Sequence, residues 1–273
     1  MTEPKFDLSV LPVRQQNKTT RTKRKISPIL MDIGRGSCCL IIGRPRSGKS
    51  VLCCNLLLNS NMYKDAFDDV VIIGGSLLYD KSMRPVVKKY RASCYETYND
   101  NIINNLIKYN TSFKQDEDDD ENIPHTCVVV DDLIGLRGAD KRGNAISRLS
   151  SNYRHFGVKM LMFLTQKLTS IPRTIRVCSS DIILYRCDNI GERKQIIEQW
   201  GDSYGGEKNL LKLMNLAWNK KYNFLYLKLE DDEGATAYKN FDEKIWSPKQ
   251  YEPEDITMED INNLNNSNEE NNI

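Results

Sequence analysis

A stretch rich in glycine and basic residues breaks the apolar pattern of the chain near residue 43. Residues 43–50 read GRPRSGKS and fit the pattern G-x-x-x-x-G-K-[ST], with the apolar run SCCLII before them and a helical pattern after them. Glycine lets backbone N–H groups approach a phosphate closely at the positive end of the following helix. The stretch therefore predicts a phosphate-binding loop. The residues expected to contact a nucleotide are Gly43, Arg44, Pro45, Arg46, Ser47, Gly48, Lys49, Ser50 and Val51.

Two residues at the end of this loop are expected to act on the nucleotide. The Lys49 ammonium would reach the β- and γ-phosphates, and the Ser50 hydroxyl would ligate Mg²⁺. We therefore predict ATP and Mg²⁺ as cofactors. A second glycine pattern, GRGSCC at 34–39, precedes its strand and lacks the third glycine of a dinucleotide-binding turn, so we expect a simple turn there.

An acidic pair ends another apolar run. The sequence TCVVVDDL occupies 126–133, and Asp131 lies 82 residues after Lys49. Parallel sheets present their ligand crevice at the carboxyl ends of their strands. We expect Asp131 to hold Mg²⁺ through its water shell, and Asp132 to act as the general base or to orient the attacking water.

A polar position also follows the apolar run VKMLMFLTQ at 158–166. In a P-loop ATPase with an extra strand between the loop strand and the acidic strand, a polar residue here contacts the γ-phosphate or the attacking water. Gln166 is our candidate sensor. The alternative is that Gln166 caps the strand and leads into the KLTSIP loop.

An arginine is expected to stabilise the charge that spreads over the γ-phosphate oxygens in the transition state. We favour Arg154, which precedes the strand carrying Gln166 and would be supplied by a neighbouring subunit. Arg44 and Arg46, inside the loop, offer a way to neutralise phosphate charge within one chain. The arginines expected near the edge of the crevice are Arg148, Arg154, Arg173 and Arg176.

These residues need a parallel sheet to bring them together. Short apolar runs alternate with helical or polar segments, which predicts an α/β fold with a mostly parallel central sheet flanked by helices. The runs lie at 37–42, 70–75, 126–132, 158–166 and 181–186. The sequence NFLYLKL at 223–229 and the segment after it predict a late hairpin at the sheet edge, and amphipathic helices are expected at 191–201 and 207–218.

Composition limits the class of protein. The 273 residues are 40% hydrophobic and 28% charged. No run approaches the roughly 18 apolar residues of a membrane helix, and the first 25 residues lack the apolar core of a signal peptide. We therefore expect an intracellular protein without a membrane span. Eight cysteines without a C-x-x-C pair, and only two histidines, argue against disulfides, a zinc site and a His-centred triad.

Charge and polarity divide the chain into three parts. Residues 1–26 are predicted to be a basic, flexible arm, and residues 251–273 an acidic, Asn-rich disordered tail. Residues 27–250 are predicted to form the ATPase domain, with an acidic solvated loop at 115–122. Outside that loop the domain is net positive, which suits a surface that binds a polyanion.

The segments GRPRSGKS, VVVDDL, YRHFGVKMLMFLTQ and IPRTIRVCSSDIILYR together resemble the viral genome-packaging ATPases of the FtsK/HerA superfamily. The similar branch is the poxvirus-type one of large DNA viruses and virophages, and the resemblance spans residues 35–190. It implies an ASCE/RecA-like P-loop fold and a homo-oligomer, a hexameric ring, that drives double-stranded DNA into a capsid. The residues to which it gives the roles described above are Lys49, Ser50, Asp131, Asp132, Gln166 and, as a finger acting in trans, Arg154.

The resemblance also implies partners and a place of action. Double-stranded DNA would be held through its backbone, without sequence reading, and capsid proteins would be docking partners. The protein would act in the host cytoplasm or a viral factory, with association with the virion as a further option.

Two other functions stay open on the residues alone. A nucleotide-regulated switch or adaptor would not need Asp132 and would use the charged tails to recruit partners. A small-molecule kinase on the same scaffold would have an Arg-rich lid and a single Asp, and it makes no use of the pair at 131 and 132. Hydrolysis stimulated by DNA separates the translocase from the switch, and phosphate transfer to an acceptor other than water would favour the kinase.

Overall fold

A nine-stranded sheet forms the centre of the part of the chain that the computed structural model describes, residues 26–90, 93–113, 124–132 and 143–248. The strands are β1 Ser37–Ile42, β2 Asp69–Ile73, β3 Ser93–Tyr95, β4 Thr126–Asp131, β5 Val158–Thr165, β6 Asp181–Tyr185, β7 Phe224–Lys228, β8 Thr236–Lys239 and β9 Glu243–Trp246. Their order across the sheet is β3-β2-β4-β5-β1-β6-β7-β8-β9. The first six strands pair in parallel, and β7, β8 and β9 continue the sheet in antiparallel pairing.

Helices cover both faces of this sheet. The helices are α1 Lys49–Leu58, α2 Gly75–Tyr79, α3 Arg84–Tyr90, α4 Asp100–Thr111, α5 Ala145–Asn152, α6 Arg173–Val177, α7 Ile190–Trp200 and α8 Glu207–Ala217. Helices α1 to α3 pack on one face, and α4 to α8 pack on the other. Every residue of β1 is buried, because its alternate side chains enter the two cores. This two-sided burial explains why the parallel strands read as continuous apolar runs.

Strand β5 lies between β1, which leads into the phosphate loop, and β4, which ends in the acidic pair. Two consecutive carbonyl groups near its end bind the two neighbours. The Gly43 N–H donates to the Thr165 carbonyl at 3.0 Å, and the Asp132 N–H donates to the Leu164 carbonyl at 2.9 Å. The hydrogen-bonded end of β5 therefore sets the position of the loop relative to the acidic pair.

The predicted fold class is confirmed, as is the antiparallel hairpin that begins near residue 223. The short strands β3 and β9 were not predicted, because three or four residues with exposed positions form no apolar run. The predicted acidic loop at 115–122 and tail at 251–273 lie outside the described residues, as does the predicted arm at 1–26 except for Ile26. Among the described helices, none combines the length and the apolar character needed to cross a membrane.

A buried carboxyl group lies at the amino end of the parallel strands, opposite the phosphate loop. Asp181, the first residue of β6, is 3% exposed. Its Oδ2 accepts hydrogen bonds from the hydroxyls of Ser37 at 2.7 Å and Ser180 at 2.6 Å. Its Oδ1 accepts one from the Tyr226 hydroxyl at 2.6 Å. Burial raises the pKa of Asp181, and these three donors oppose the rise.

Candidate nucleotide-binding site

The phosphate loop joins β1 to α1 and depends on two glycines. A Cβ on Gly43 would lie 2.6 Å from the Ser47 Oγ and 2.8 Å from the Tyr185 Cβ, so a larger residue does not fit there. Gly48 has a φ of 109°, a conformation that residues with a Cβ rarely adopt, and it caps the N-terminus of α1. The loop thus turns sharply enough to direct the N-terminus of α1 toward the carboxyl edge of the sheet, where an anion is favoured.

The ammonium group of Lys49, the first residue of α1, binds carbonyl groups of the loop. Its Nζ donates to the carbonyl of Gly43 at 2.5 Å and to that of Arg44 at 3.1 Å. Burial lowers the pKa of Lys49, and the nearby carboxylates of Asp131 and Asp132 oppose that change. The loop lysine and both acids, predicted from separate segments, are therefore within electrostatic reach of one another.

Asp131 ends β4 in a buried position, with 9% of its surface exposed. Its Oδ2 accepts a hydrogen bond from the Ser76 hydroxyl, just inside α2. Burial raises the pKa of Asp131, while the Ser76 donor and the Lys49 charge lower it. A buried carboxylate with one protein donor on one oxygen keeps lone pairs for further partners such as metal-bound water.

Two features of Asp132 cost free energy unless they help to bind a ligand. Its φ is 48°, in the left-handed region that non-glycine residues seldom occupy. Its Oδ1 is buried and has no hydrogen-bond partner among the described residues, and the same holds for the Ser47 Oγ in the loop. Buried polar atoms without a partner are rare in native proteins and point to a bound group or water.

Asp80 follows α2, and its carboxylate accepts hydrogen bonds from the Ser82 N–H at 2.9 Å and the Ser82 hydroxyl at 2.8 Å. Asp80 and Ser76 were not predicted from the sequence. Their segment, GGSLLYD, follows β2 directly, and β2 pairs with β4 in parallel, so the segment lies at the carboxyl edge beside Asp131. The available signal was a pair of glycines at the end of an apolar strand.

Gln166 follows β5 and is exposed in a cleft of about 460 Å³ whose wall includes Gly43. The turn that follows β5 is stabilised by Thr165 and not by Gln166. The Thr165 hydroxyl contacts the Ser170 hydroxyl at 2.7 Å and the Lys167 carbonyl at 3.1 Å. The Gln166 side chain therefore lines the cleft beside the phosphate loop, at the strand end between β1 and β4.

A second cleft, of about 330 Å³, borders the loop on the side of β7. Tyr222, 58% exposed with a φ of 69°, lies close to Gly48 and gives this cleft an aromatic wall. Arg44 lines both clefts, and its guanidinium pairs with Asp188 at 3.0 Å. Arg46 lines the second cleft and has a φ of 63°. The exposed residues of the predicted loop set are Arg44, Pro45, Arg46 and Val51.

Arg154 is not brought to the loop of its own chain. It precedes β5, so it lies at the amino end of the strand whose carboxyl end contacts Gly43. Its guanidinium donates to the Tyr153 hydroxyl at 3.2 Å and pairs with Glu230 at 2.9 Å. The expectation that Arg154 lies near the crevice edge is wrong within one chain, because the strand direction places it at the opposite edge of the sheet.

The other candidate arginines do not replace it in the described structure. Arg148 donates a hydrogen bond to the Asn104 side chain, and Arg176 donates one to the Gln199 side chain. Arg173 is the first residue of α6, which follows the turn after β5.

The residues at the site suit Mg²⁺. A serine hydroxyl and a carboxylate are the hard oxygen donors that this ion prefers, and Ser50 and Asp131 would supply them. In the described part of the chain, no three His, Cys, Asp or Glu residues are close enough to hold a metal by themselves.

Comparisons with known proteins identify structural relatives. No protein-family model matches the chain, and no curated protein matches its sequence. The genome-packaging NTPase B204 from Sulfolobus turreted icosahedral virus 2, in complex with AMP, aligns with a TM-score of 0.53 at 18% identity, over 76% of this chain and 97% of that one. The same NTPase in complex with ATP-gammaS aligns with a TM-score of 0.53 at 16% identity, over the same shares.

A second type of relative is EssC, ATPases 2 and 3, from Geobacillus thermodenitrificans. It aligns with a TM-score of 0.51 at 13% identity, over 85% of this chain and 43% of that one. At these identities the likeness concerns the fold alone. The chain therefore has the fold of P-loop ATPases, and its structural neighbours include a viral genome-packaging NTPase.

Proposed function

We propose that this protein is an ATP-hydrolysing motor that moves double-stranded DNA into viral capsids. The observation that carries the proposal is the convergence of Lys49, Asp131 and Asp132 at the carboxyl edge of the sheet, where burial and coulombic contacts couple the three groups. Two adjacent acids beside the loop lysine fit hydrolysis, because a scaffold that only binds nucleotide and Mg²⁺ would not need Asp132. B204, named as a genome-packaging NTPase, supports the packaging assignment.

In this proposal each residue has one task. The Lys49 ammonium moves from the loop carbonyls to the phosphates, and the Ser50 hydroxyl ligates Mg²⁺ while Asp131 holds it through water. Mg²⁺, when bound, neutralises charge that develops on the phosphate oxygens. The Asp132 Oδ1 has no partner among the described residues and accepts a proton from the attacking water. Gln166, in the cleft beside Gly43, contacts the γ-phosphate or this water.

The decisive experiment is steady-state ATP hydrolysis with and without linear double-stranded DNA. We expect DNA to stimulate ATP hydrolysis. The substitutions Lys49→Ala and Asp132→Asn should each abolish the stimulated hydrolysis. Lys244→Ala is the matched control for lost positive charge and should behave as the wild type, because Lys244 lies on β9, which three strands separate from β1. Hydrolysis that is indifferent to DNA would overturn the motor and favour a switch or adaptor. Phosphate transfer to an acceptor other than water would favour a kinase.

The proposed assembly is a homo-oligomeric ring of six subunits that docks on capsid proteins in the cytoplasm or viral factory of an infected cell. In such a ring Arg154 would act on the nucleotide of a neighbouring subunit, because it lies far from the loop of its own chain. Its contacts are compatible with that role: the Arg154 side chain is 46% exposed and its partner Glu230 is 62% exposed. Breaking so exposed an ion pair costs less than about 1 kcal/mol of stability.

Two variants that break the same ion pair test the ring. Arg154→Ala should lower turnover in the assembled protein by about 10³-fold or more, as loss of an arginine finger does. Glu230→Ala removes the same pair and should leave turnover unchanged. Mixing Arg154→Ala subunits with Lys49→Ala subunits should restore part of the activity, since each supplies what the other lacks. Equal losses in both single variants would mean that the ion pair matters only for stability.

A further inference from the structure

The second cleft beside the phosphate loop contains an exposed aromatic ring to which the proposed hydrolysis gives no task. Tyr222 lines this cleft of about 330 Å³ and is 58% exposed. Its Cδ1 atom lies 3.6 Å from the position that a Cβ on Gly48 would take. The ring is therefore close to the glycine that precedes the loop lysine.

The backbone of Tyr222 supplies a second observation. Its φ of 69° lies in the left-handed region, which is a genuine outlier for a bulky side chain. Residues in such sparsely populated conformations persist only where the surrounding structure holds them, and they cluster at sites that clamp ligands. The strained backbone therefore points to a role for this ring in binding.

The turn at 218–223, which carries this ring from α8 to β7, is anchored at both ends. At its start, the indole N–H of Trp218 donates to the Leu184 carbonyl of β6 at 2.9 Å. At its end, the side-chain amide of Asn223 donates to that of Asn219 at 2.9 Å. A ring held in place in this way loses little conformational entropy when a ligand stacks on it.

The order of the strands gives the direction in which a nucleotide would lie. Strand β4, which leads into Asp131 and Asp132, is on one side of β1, and β7 is on the other. The start of β7 pairs with the end of β6, so Tyr222 lies at the same edge of the sheet as the loop. The base and the γ-phosphate are at opposite ends of a nucleoside triphosphate. When the γ-phosphate faces the two acids, the base therefore faces Tyr222.

The rest of the second cleft suits a ligand that is anionic and has a flat ring. The Lys221 ammonium lies over the Tyr222 ring, 4.9 Å from its centroid, and leaves the other face of the ring for a base. The larger cleft has no exposed aromatic ring among its described lining residues, because Tyr185 is buried. Charged residues in the lining of the second cleft are mostly basic, which favours phosphate; they are Arg44, Arg46, Arg186, Lys220, Lys221 and the acidic Asp188.

We propose that Tyr222 binds the base of the nucleotide by stacking, so that the turn at 218–223 distinguishes a nucleotide from an inorganic phosphate chain. This inference rests on the proposed nucleotide-binding function. Tyr222 contacts no reacting atom in this arrangement, and it contributes to affinity and not to the chemical step.

The test compares two ligands by isothermal titration calorimetry in the presence of Mg²⁺. They are the β,γ-methylene analogue of ATP and inorganic tripolyphosphate, which has no base. Tyr222→Asn should weaken binding of the analogue by about 5- to 150-fold, the usual loss when a ring that stacks on a base is removed. The affinity for tripolyphosphate should be unchanged. The thermal unfolding midpoint should not fall, because Asn adopts a positive φ more readily than Tyr does.

Two further variants show whether the ring itself is responsible. Tyr222→Phe keeps the ring and should retain the affinity for the analogue. Tyr109→Asn removes a ring of similar exposure, 51%, from α4, which lines neither cleft, and it should bind both ligands as the wild type does.

Three results would overturn the inference. Equal losses for the analogue and tripolyphosphate in Tyr222→Asn would mean that Tyr222 supports the phosphate loop. Loss of affinity in Tyr222→Phe as large as in Tyr222→Asn would mean that stacking is not the cause. Weaker binding of a short single-stranded DNA in Tyr222→Asn, with unchanged affinity for the analogue, would mean that the ring contacts nucleic acid.

The experiment also keeps the two proposals apart. If the wild type binds the analogue no better than Lys49→Ala does, the proposed nucleotide site fails. If the wild type binds the analogue through Lys49 and Tyr222→Asn keeps the full affinity, the site stands and the role of Tyr222 fails.

Discussion

Each end of the parallel sheet buries carboxyl oxygen atoms, but the two ends differ in the hydrogen bonds that these atoms receive. At the amino end, Asp181 receives hydroxyl donors from Ser37, Ser180 and Tyr226, all within 2.7 Å. At the carboxyl end, the Asp132 Oδ1 is buried without a partner among the described residues. Burial raises the pKa of Asp181 and, beside the loop, that of Asp131. A raised pKa therefore does not identify the functional end.

The difference lies in how many hydrogen-bond partners the protein supplies. A buried polar group with all its partners contributes to stability, whereas one left without partners costs free energy and has to be explained by a ligand. We therefore expect the amino end to serve the fold and the carboxyl end to serve chemistry. Substitutions at the two ends should separate stability from activity.

The largest expected effect is on turnover, at the carboxyl end. Asp132→Asn should lower ATP hydrolysis by about 10²- to 10⁴-fold, the usual contribution of a general base. The thermal unfolding midpoint should not fall, because Asn tolerates the positive φ of this position and no described hydrogen bond is lost. Hydrolysis assays and calorimetry on the same preparation check both parts. A clear drop in the midpoint would show that Asp132 is a structural residue like Asp181.

The amino end should give the reverse result. Tyr226→Phe removes one donor to a buried carboxyl and should lower the free energy of unfolding by about 1–3 kcal/mol. Turnover well below the unfolding temperature should be unchanged, since β7 contributes this residue far from the loop. Tyr238→Phe is the matched control: its ring stacks on Tyr226 with centroids 5.8 Å apart, but no described hydrogen bond uses its hydroxyl. Equal losses in the two variants would rule out the carboxyl group as the cause.

The smallest expected effect is a change of that loss with pH. The pKa of Asp181 is higher in the folded protein than its ordinary value near 3.9, so its proton binds more tightly in the folded state. Stability from this group is therefore greatest below about pH 4 and falls as pH rises toward the folded pKa. The Tyr226 donor lowers that pKa, so its removal raises it further and extends the fall.

The loss caused by Tyr226→Phe should consequently be smaller near pH 4 than near pH 7. Chemical denaturation of the wild type and the variant at both values measures this difference. A loss that is the same at the two values, or larger at the acidic one, would contradict the assigned pKa direction.

Much of the fold could be predicted from the sequence, because the parallel strands are buried on both faces and read as apolar runs. The run predicted at 37–42 is β1 with the same bounds. The phosphate loop was predictable for a different reason: its residues are contiguous, and their spacing carries the chemistry. Both signals are local in the chain.

Features that depend on how distant elements meet were not predictable in this way. The contact of Ser76 with Asp131 exists because β2 pairs with β4, which no local pattern encodes. The place of Arg154 follows from the direction of β5, so closeness in sequence to Gln166 did not mean closeness in space. The predicted role of Gln166 as a sensor stays a prediction, with its side chain in the cleft beside the loop.

The pair of adjacent β5 carbonyls that bind Gly43 and Asp132 has an evolutionary consequence. The relative position of loop and acidic pair is set by hydrogen bonds to a third strand, and the 81 residues between Lys49 and Asp131 do not set it. Proteins with this site can therefore gain or lose residues in that connection with little loss of stability, because the entropic cost of closing a loop rises only slowly with its length. Common descent among such proteins should therefore be recognisable from the geometry of the three strands even after the spacing between the motifs has diverged too far to align.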